Sequence, residues 1–237
     1  MKSGNRNRRS GRGRAPIGDQ RLVDEQIRYY RGRAAEYDAT SVPPDDPFAA
    51  DADRIRGALH AFAPRGRVLE LAAGTGQWTG LLAEYASELT AVDASREMLA
   101  INAARHRDLN IRYLVSDVFA LPPAPTWDVV FFGFWLSHVP PGRFQEFWDV
   151  VAKQLRPQGR VFFVDEADHG LWEEDWMDRA GGIVRRRLND GSEYRAVKVL
   201  WGGQEVEHRL ASLGWSAYVH PSGPFYWGTA VLAGILT

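Results

Sequence analysis

Three carboxylates stand in or just after three short apolar runs: Glu70 inside Val68–Leu71, Asp93 at the end of Leu89–Asp93, and Asp117 after Ile111–Val115. Glu70 is followed by two glycines, giving Glu70-x-x-x-Gly74-x-Gly76. Glycines at such a bend let a ligand approach the backbone closely. The carboxylate beside the bend repels a pyrophosphate and attracts a cation. A dinucleotide fingerprint asks for a third small residue where Thr79 stands, and no Gly-Lys-Ser/Thr of a Walker phosphate loop is present. Asp93 can accept two ribose hydroxyl hydrogen bonds, and Asp117 can take an amine donor. Acids after three successive strands therefore suit a cationic, phosphate-free adenosine cofactor. S-adenosylmethionine, with its sulfonium and ammonium, has that chemistry.

The elements that must position these groups alternate. Apolar spacing at Ile27, Tyr30, Ala34 and Tyr37 predicts a helix over Asp24–Asp38. Pro43 and Pro44 break it, and Asp46-Pro47 opens a second helix to about Phe62. Strand Val68–Leu71 leads into the glycine bend, a helix over Trp78–Ser87 and strand Leu89–Asp93. Ser95 caps a helix to about His106. Strand Ile111–Val115, a proline-rich loop at Leu121–Pro125, strand Asp128–Phe134 and helix Arg143–Leu155 follow. The Arg156-Pro157-Gln158-Gly159 turn precedes strand Arg160–Asp165. Residues 167–191 read as helical and highly charged, and Glu193–Leu200 as a strand. Helix Glu205–Leu213 ends at Gly214, and Trp215–His220 with Phe225–Gly234 form a closing strand pair. The expectation is an α/β fold: a Rossmann-like, doubly wound, mostly parallel sheet with a C-terminal antiparallel pair and an N-terminal helical lid. Its parts are a disordered basic tail over 1–18, a lid over 19–65, and a core over 66–237 with a cap insertion at about 167–202.

Composition narrows the class. The 237 residues are 45% hydrophobic and 25% charged, as in a soluble protein with a sizeable core. There is no cysteine, which excludes disulfides, zinc fingers and a thiol nucleophile and suits a cytoplasmic protein. The longest apolar run is about eight residues around Val129–Leu136, too short to span a bilayer, and no signal-peptide pattern opens the chain. Six of the 29 basic residues fall within residues 1–16, among no acids, so the remainder carries −7. Such a tail reads either as a solvated terminus or as a nucleic-acid or membrane-surface arm. No aromatics interleave with its arginines, against a nucleic-acid role.

Glu70-x-x-x-Gly74-x-Gly76, Asp93, Ser116-Asp117 and Leu155-Arg156-Pro157-x-Gly159 together resemble the class I S-adenosylmethionine-dependent methyltransferases, over roughly residues 20–237. Tyr29–Asp38 and Trp135–Pro140 resemble bacterial small-molecule O-methyltransferases, such as the dehydrophos phosphonate O-methyltransferase or a mycobacterial methylmannose-polysaccharide sugar O-methyltransferase. Gln158 departs from the usual Pro-Gly-Gly turn. The resemblance implies that Glu70, Gly74 and Gly76 hold the methionine part of the cofactor, with Ala72 and Ala94 also among the cofactor-binding residues. Asp93 would hold the ribose, Met98 would pack on the adenine, and Asp117 and Val118 would read its edge. Tyr30, Arg33 and Phe134 would complete the cofactor site, with Arg33 facing its carboxylate. Tyr30 and Tyr37 also read as simple helix packing.

An alcohol acceptor needs a base as the new bond forms, whereas an acid oxygen needs cations around it. His138, after the fourth strand, is the first candidate base, or else a structural histidine. Asp165 and Glu166, with Asp168 and His169, could orient it, bind sugar hydroxyls, hold Mg2+, or form a solvated face. Arg186, among Arg185–Arg187, and Lys198 resemble an acceptor-binding clamp for an anion, or form a solvated helix end. Pro44 stands where the phosphonate enzyme carries tyrosine, against a phosphonate acceptor. Aromatics such as Trp78, Trp135, Trp172 and Trp227 suit sugar faces or core packing. The expected activity is O-methylation of a small polar acceptor, either a sugar hydroxyl or a phosphonate or carboxylate oxygen. C- or N-methylation of a quinone or natural product is the alternative. A homodimer is allowed; a membrane partner is not expected.

Overall fold

The computed structural model describes residues 17–41, 47–124, 126–168, 170 and 173–234. The basic tail, the Pro43-Pro44 break, the Asp46 cap, His169 and Trp172 lie outside them. The elements are α1 (Ile17–Arg33), α2 (Tyr37–Ser41), α3 (Ala49–Phe62), β1 (Gly66–Leu71), α4 (Thr79–Ala83), β2 (Ala86–Asp93), α5 (Arg96–Arg105), β3 (Ile111–Val115) and β4 (Trp127–Gly133). There follow α6 (Phe144–Gln154), β5 (Leu155–Glu166), β6 (Trp176–Asp178), β7 (Ile183–Arg187), β8 (Glu193–Val197), α7 (Gly203–Ser212), β9 (Trp215–Ser222) and β10 (Phe225–Leu232).

Seven strands form one sheet in the order β3-β2-β1-β4-β5-β10-β9. The first five are parallel, and β10 runs antiparallel to both β5 and β9. Strand order reverses beside β1, so the carboxyl ends of β1 and β4 diverge into a crevice. Both faces of the sheet are covered, which is why Val129–Phe132 reads as an unbroken apolar run. On one face, Phe132 contacts Phe147 and Trp148 edge-on at 5.0 and 5.7 Å and stacks on Phe163 at 5.6 Å. Phe163 lies on the neighbouring β5, while Phe147 and Trp148 come from α6, whose Phe144, Phe147, Trp148 and Val151 recur at helical spacing on its buried side. On the other face, α3 and α4 bury Ile55, Leu59 and Leu82 against Val68, Phe131 and Phe162. The turn before the main run of β5 holds Gln158 at φ 66°, a left-handed conformation where the family has glycine. Gly159 could not be replaced so easily: a Cβ there would lie 3.0 Å from the carbonyls of Arg156 and Trp127.

Two helices expected from the sequence are corrected. The first ends early: α4 stops at Ala83 and β2 begins at Ala86. The second, over 167–191, is absent; this stretch carries β6 and β7, which with β8 form a separate three-stranded antiparallel sheet. Its turns are glycine turns, with Gly182 at φ 65° and Gly191 at φ 85°. The Asn189-Asp190-Gly191 run is a hairpin signal that charge density obscured. α1 runs to Arg33, and a single 3-10 turn separates it from α2. Among the described residues no helix is long and apolar enough to cross a membrane.

Candidate active site

A cavity opens at the carboxyl ends of β1, β2 and β4, the place where ligands bind in open α/β sheets. Among the predicted cofactor residues, Tyr30, Ala72, Gly74, Asp93, Ala94, Met98, Asp117, Val118 and Phe134 line it, as does His138. Glu70 lies in an adjoining recess that shares Ala72, Gly74 and Phe134 with the main cavity. Ala72 and Phe134 hold left-handed backbone, at φ 51° and 54°, which costs about 1–2 kcal/mol for a residue with a Cβ.

Asp93 is fixed by its own neighbours. Its two carboxylate oxygens accept the Gly74 and Ser95 backbone N–H groups at 2.9 and 2.8 Å. The carboxylate keeps lone pairs for a ligand in the cavity. Burial raises its pKa, and those backbone donors work against the rise. Glu70 is 1% exposed and ends a buried chain. Tyr113 donates to Asn102 at 3.1 Å, Asn102 to Thr79 at 2.9 Å, and Thr79 to Glu70 at 2.7 Å. Burial pushes the Glu70 pKa up to about 8; the Thr79 bond opposes this and the charge of Asp93 adds to it. A cation placed here would draw the carboxylate back to its ionised form. Asp117 points its carboxylate at its own Phe119 N–H at 3.0 Å and caps the turn that places Val118.

Two predicted cofactor residues do not line the cavity. Gly76 faces α5, where a Cβ would meet Asn102 at 2.6 Å, so it serves the packing of the glycine loop. The Arg33 guanidinium donates to Thr40 and Ser41 hydroxyls at 3.0 and 3.2 Å and lies 4.7 Å over the Tyr37 ring. It braces the α1–α2 corner. That corner is pinned to the glycine loop, since Thr75 donates to Asp38 at 2.6 Å and Arg105 pairs with the same carboxylate.

His138 is 8% exposed, in a short 3-10 turn after β4. Its Nδ1 lies 2.8 Å from the Val197 carbonyl oxygen, and its Nε2 lies 3.0 Å from the Tyr30 hydroxyl. A carbonyl only accepts, so Nδ1 carries the proton and Nε2 accepts from Tyr30. Burial pulls the His138 pKa well below the usual histidine range, and the charges of Lys198, Arg186 and Arg33 add to that. The ring is neutral at pH 7, while burial raises the Tyr30 pKa well above the usual tyrosine value.

The predicted acceptor residues lie beside this pair, not on the cavity wall. Lys198, 3% exposed, is paired with Glu166 at 2.5 Å. Arg186 forms a two-pronged pair with Glu174 at 2.6 and 3.1 Å. Asp165 is fully buried, and its oxygens accept the Ser137 and Glu166 N–H groups at 2.9 and 2.8 Å. Burial pushes its pKa up to about 6, against the pull of Lys198. A Mg2+ ion does not fit Asp165 and Glu166, whose oxygens already hold backbone amides and a lysine. Among the described residues no three or more His, Asp or Glu are grouped to hold a metal. Through the Ser137 N–H, Asp165 holds the residue just before His138.

Gln26 was missed as a site residue. It lines the cavity and is 1% exposed. The signal was present: it is a polar residue one helical turn before Tyr30, inside a stripe that buries Leu22, Val23 and Tyr29.

The family description "Methyltransferase domain" matches residues 68–159. The chain is 28% identical over 143 residues to an uncharacterized methyltransferase of Staphylococcus carnosus, covering 60% of this chain and 68% of that protein. Among solved structures, DhpI bound to S-adenosylhomocysteine is 42% identical with a TM-score of 0.78, covering 90% of this chain and 98% of the other. The DhpI–SAM–HEP complex matches at 42% identity and a TM-score of 0.76, covering 89% and 97%. A Pyrococcus horikoshii protein shares the fold at 20% identity and a TM-score of 0.66, covering 86% and 98%. A strand-end cavity with an acid below the glycine bend and another at the end of β2, taken with that likeness along nearly the whole of DhpI, makes the chain a member of the S-adenosylmethionine-dependent methyltransferases.

Proposed function

We propose that the protein moves the methyl group of S-adenosylmethionine to a hydroxyl oxygen of a small polar acceptor, such as a sugar or other alcohol. The observation that carries this is the Tyr30–His138 pair on the cavity wall. When bound, the cofactor supplies an electrophilic methyl on a cationic sulfur with a neutral leaving group. To hold it, Asp93 would offer its remaining lone pairs to the ribose, and Glu70 with the Gly74 bend would take the methionine part. Met98 would pack on the adenine, with Asp117 and Val118 reading its edge.

The chain's own work is alignment and the removal of one proton. An acceptor hydroxyl seated against Tyr30 donates to the Tyr30 oxygen, while Tyr30 donates to His138 Nε2. As the oxygen bonds to carbon, its proton passes to Tyr30, and the Tyr30 proton passes to Nε2. The low basicity of the ring keeps that lone pair free at neutral pH. Lys198 and Arg186 are neutralised by Glu166 and Glu174, so an anionic acceptor would have to displace a carboxylate from each. That favours the hydroxyl over the acid oxygen. In this reading residues 19–65 act as the lid and 167–202 as the cap.

A labelled-methyl screen of sugars, alcohols, phosphonates and carboxylates, with amine acceptors included, tests the class. His138→Ala should lower turnover by about 10²–10⁴-fold, as loss of a general base does. Tyr30→Phe should also lower it. A loss under about tenfold in His138→Ala, or label found on nitrogen or carbon, sinks the reading.

A further inference from the structure

Gln26 sits in the middle of α1 on the face that packs against the second sheet, and both ends of its amide are used. Its Nε2 donates to the His138 carbonyl at 3.1 Å, and its Oε1 accepts the Val197 N–H at 2.9 Å. Val197 in turn presents its carbonyl to His138 Nδ1 at 2.8 Å. The result is a closed ring of three bonds through α1, the turn after β4, and β8. Leucine would fill the space of a purely packed position on this stripe. An amide with one donor and one acceptor engaged fixes two backbones at one separation.

We propose that Gln26 is a positioning residue for methyl transfer, holding β8 and the His138 turn at the spacing that keeps the imidazole in its Nδ1–H form with Nε2 turned to Tyr30. The proposal rests on the reading of His138 as proton acceptor. Tyr30 from α1 bonds the imidazole, and the charges of Lys198 just beyond β8, Arg186 on β7 and Arg33 at the end of α1 reach it. All four are untouched by a change at position 26. A second tie between the same segments, Val199 N–H to the Ser137 carbonyl at 2.8 Å, remains without Gln26, so the loss is one of alignment and not of the whole contact.

The test uses the full chain as Gln26→Leu and Gln26→Glu, with steady-state kinetics, S-adenosylhomocysteine affinity and nitrogen NMR of labelled histidine. In Gln26→Leu, kcat should fall about 10–100-fold, the range for loss of a group that orients a working residue. Affinity for S-adenosylhomocysteine should stay within about threefold. The His138 ring nitrogens should change from one tautomer to a mixture, and the acid limb of the pH profile should move lower still, because the Val197 carbonyl bond is what supports the protonated ring against burial. Gln26→Glu keeps the acceptor for Val197 N–H but adds a negative charge. Its acid limb should rise instead, since a carboxylate near the ring favours the imidazolium, with more of kcat kept at high pH than in the leucine variant. An unchanged tautomer with kcat within about threefold of the parent overturns the proposal. If Gln26→Leu does not fold, an unchanged acid limb and tautomer in Gln26→Glu overturns it instead. Retained turnover in His138→Ala overturns the underlying proton-acceptor reading, whatever the variants at 26 do. A crippled His138→Ala beside a normal Gln26→Leu overturns the role of Gln26 alone.

Discussion

The Asp93 end and the His138 end of this cavity are held together over different distances along the chain. Asp93 is fixed by partners 2 and 19 residues away, and Glu70 by one 9 residues away. His138 is fixed from its Tyr30 side across 108 residues and from its Val197 side across 59. Gln26 closes the ring across 112 and 171 residues. The bonds that set Asp93 and Glu70 come from a strand, a bend and a helix within one βαβ unit. The His138 arrangement exists only when α1, the β4 turn and the second sheet have met. In the proposed reading this is a division of labour: the two acids that grip a common donor are set locally, and the acceptor is met by an assembled surface that can vary without disturbing them.

The largest expected effect tests that separation directly. Asp93→Ala removes two charge-assisted bonds and should weaken cofactor binding by about 100-fold, with the His138 ring signals unchanged. A shift in those signals of the size seen on changing Gln26 would mean the two ends are not separate. Next comes the acceptor end. Lys198→Met leaves the half-buried Glu166 without its cation and should cost about 1–2 kcal/mol in denaturant unfolding, since solvent at Glu166 softens the usual penalty. Adding Glu166→Gln should recover part of it; no recovery would mean that the pair is not what Lys198 contributes.

Glu70 gives a smaller, pH-coded effect. Its carboxyl titrates near 4.5 when unfolded and about 8 when folded. Folding therefore takes up a proton, and stability contributed by this group falls as pH rises from 4.5 to about 8. Glu70→Gln should flatten that decline. A cationic cofactor beside Glu70 should release most of about one proton near pH 7, seen as buffer-dependent heat in calorimetry, and Glu70→Gln should abolish the release. The smallest effect belongs to the rim. Arg195 and Glu25 tie β8 to α1 at 2.7 Å with the arginine half exposed, so Arg195→Ala should cost no more than about 0.5–1 kcal/mol. A larger cost, or a change in acceptor KM, would make this pair part of the site.

The same contrast explains what could be read from the residues alone. The seven-stranded sheet, the glycine bend, Asp93, Asp117 and His138 were legible because each is announced by its immediate neighbours. Arg33 and Gly76 were placed on the cofactor by the family pattern, yet their side-chain space is taken by Tyr37 and Asn102. The stretch 167–191 was read as helix because charge density outweighed the Gly181-Gly182 and Asp190-Gly191 turns. The Lys198–Glu166 and Arg186–Glu174 pairs could not be foreseen, since nothing local says which carboxylate a lysine or arginine will find.

Ala72 and Phe134, the two non-glycine residues in left-handed backbone on the cavity wall, set opposing demands on the same few dihedral angles. Glycine at position 72 would relax the chain and raise the melting point, whereas at position 134 it would also forfeit the edge-on contact of Phe134 with Phe225 at 5.6 Å. At 72 it would let that stretch of wall wander, blunting the alignment on which an in-line displacement depends. A sturdier version of this protein and a faster one would thus begin from opposite choices at position 72.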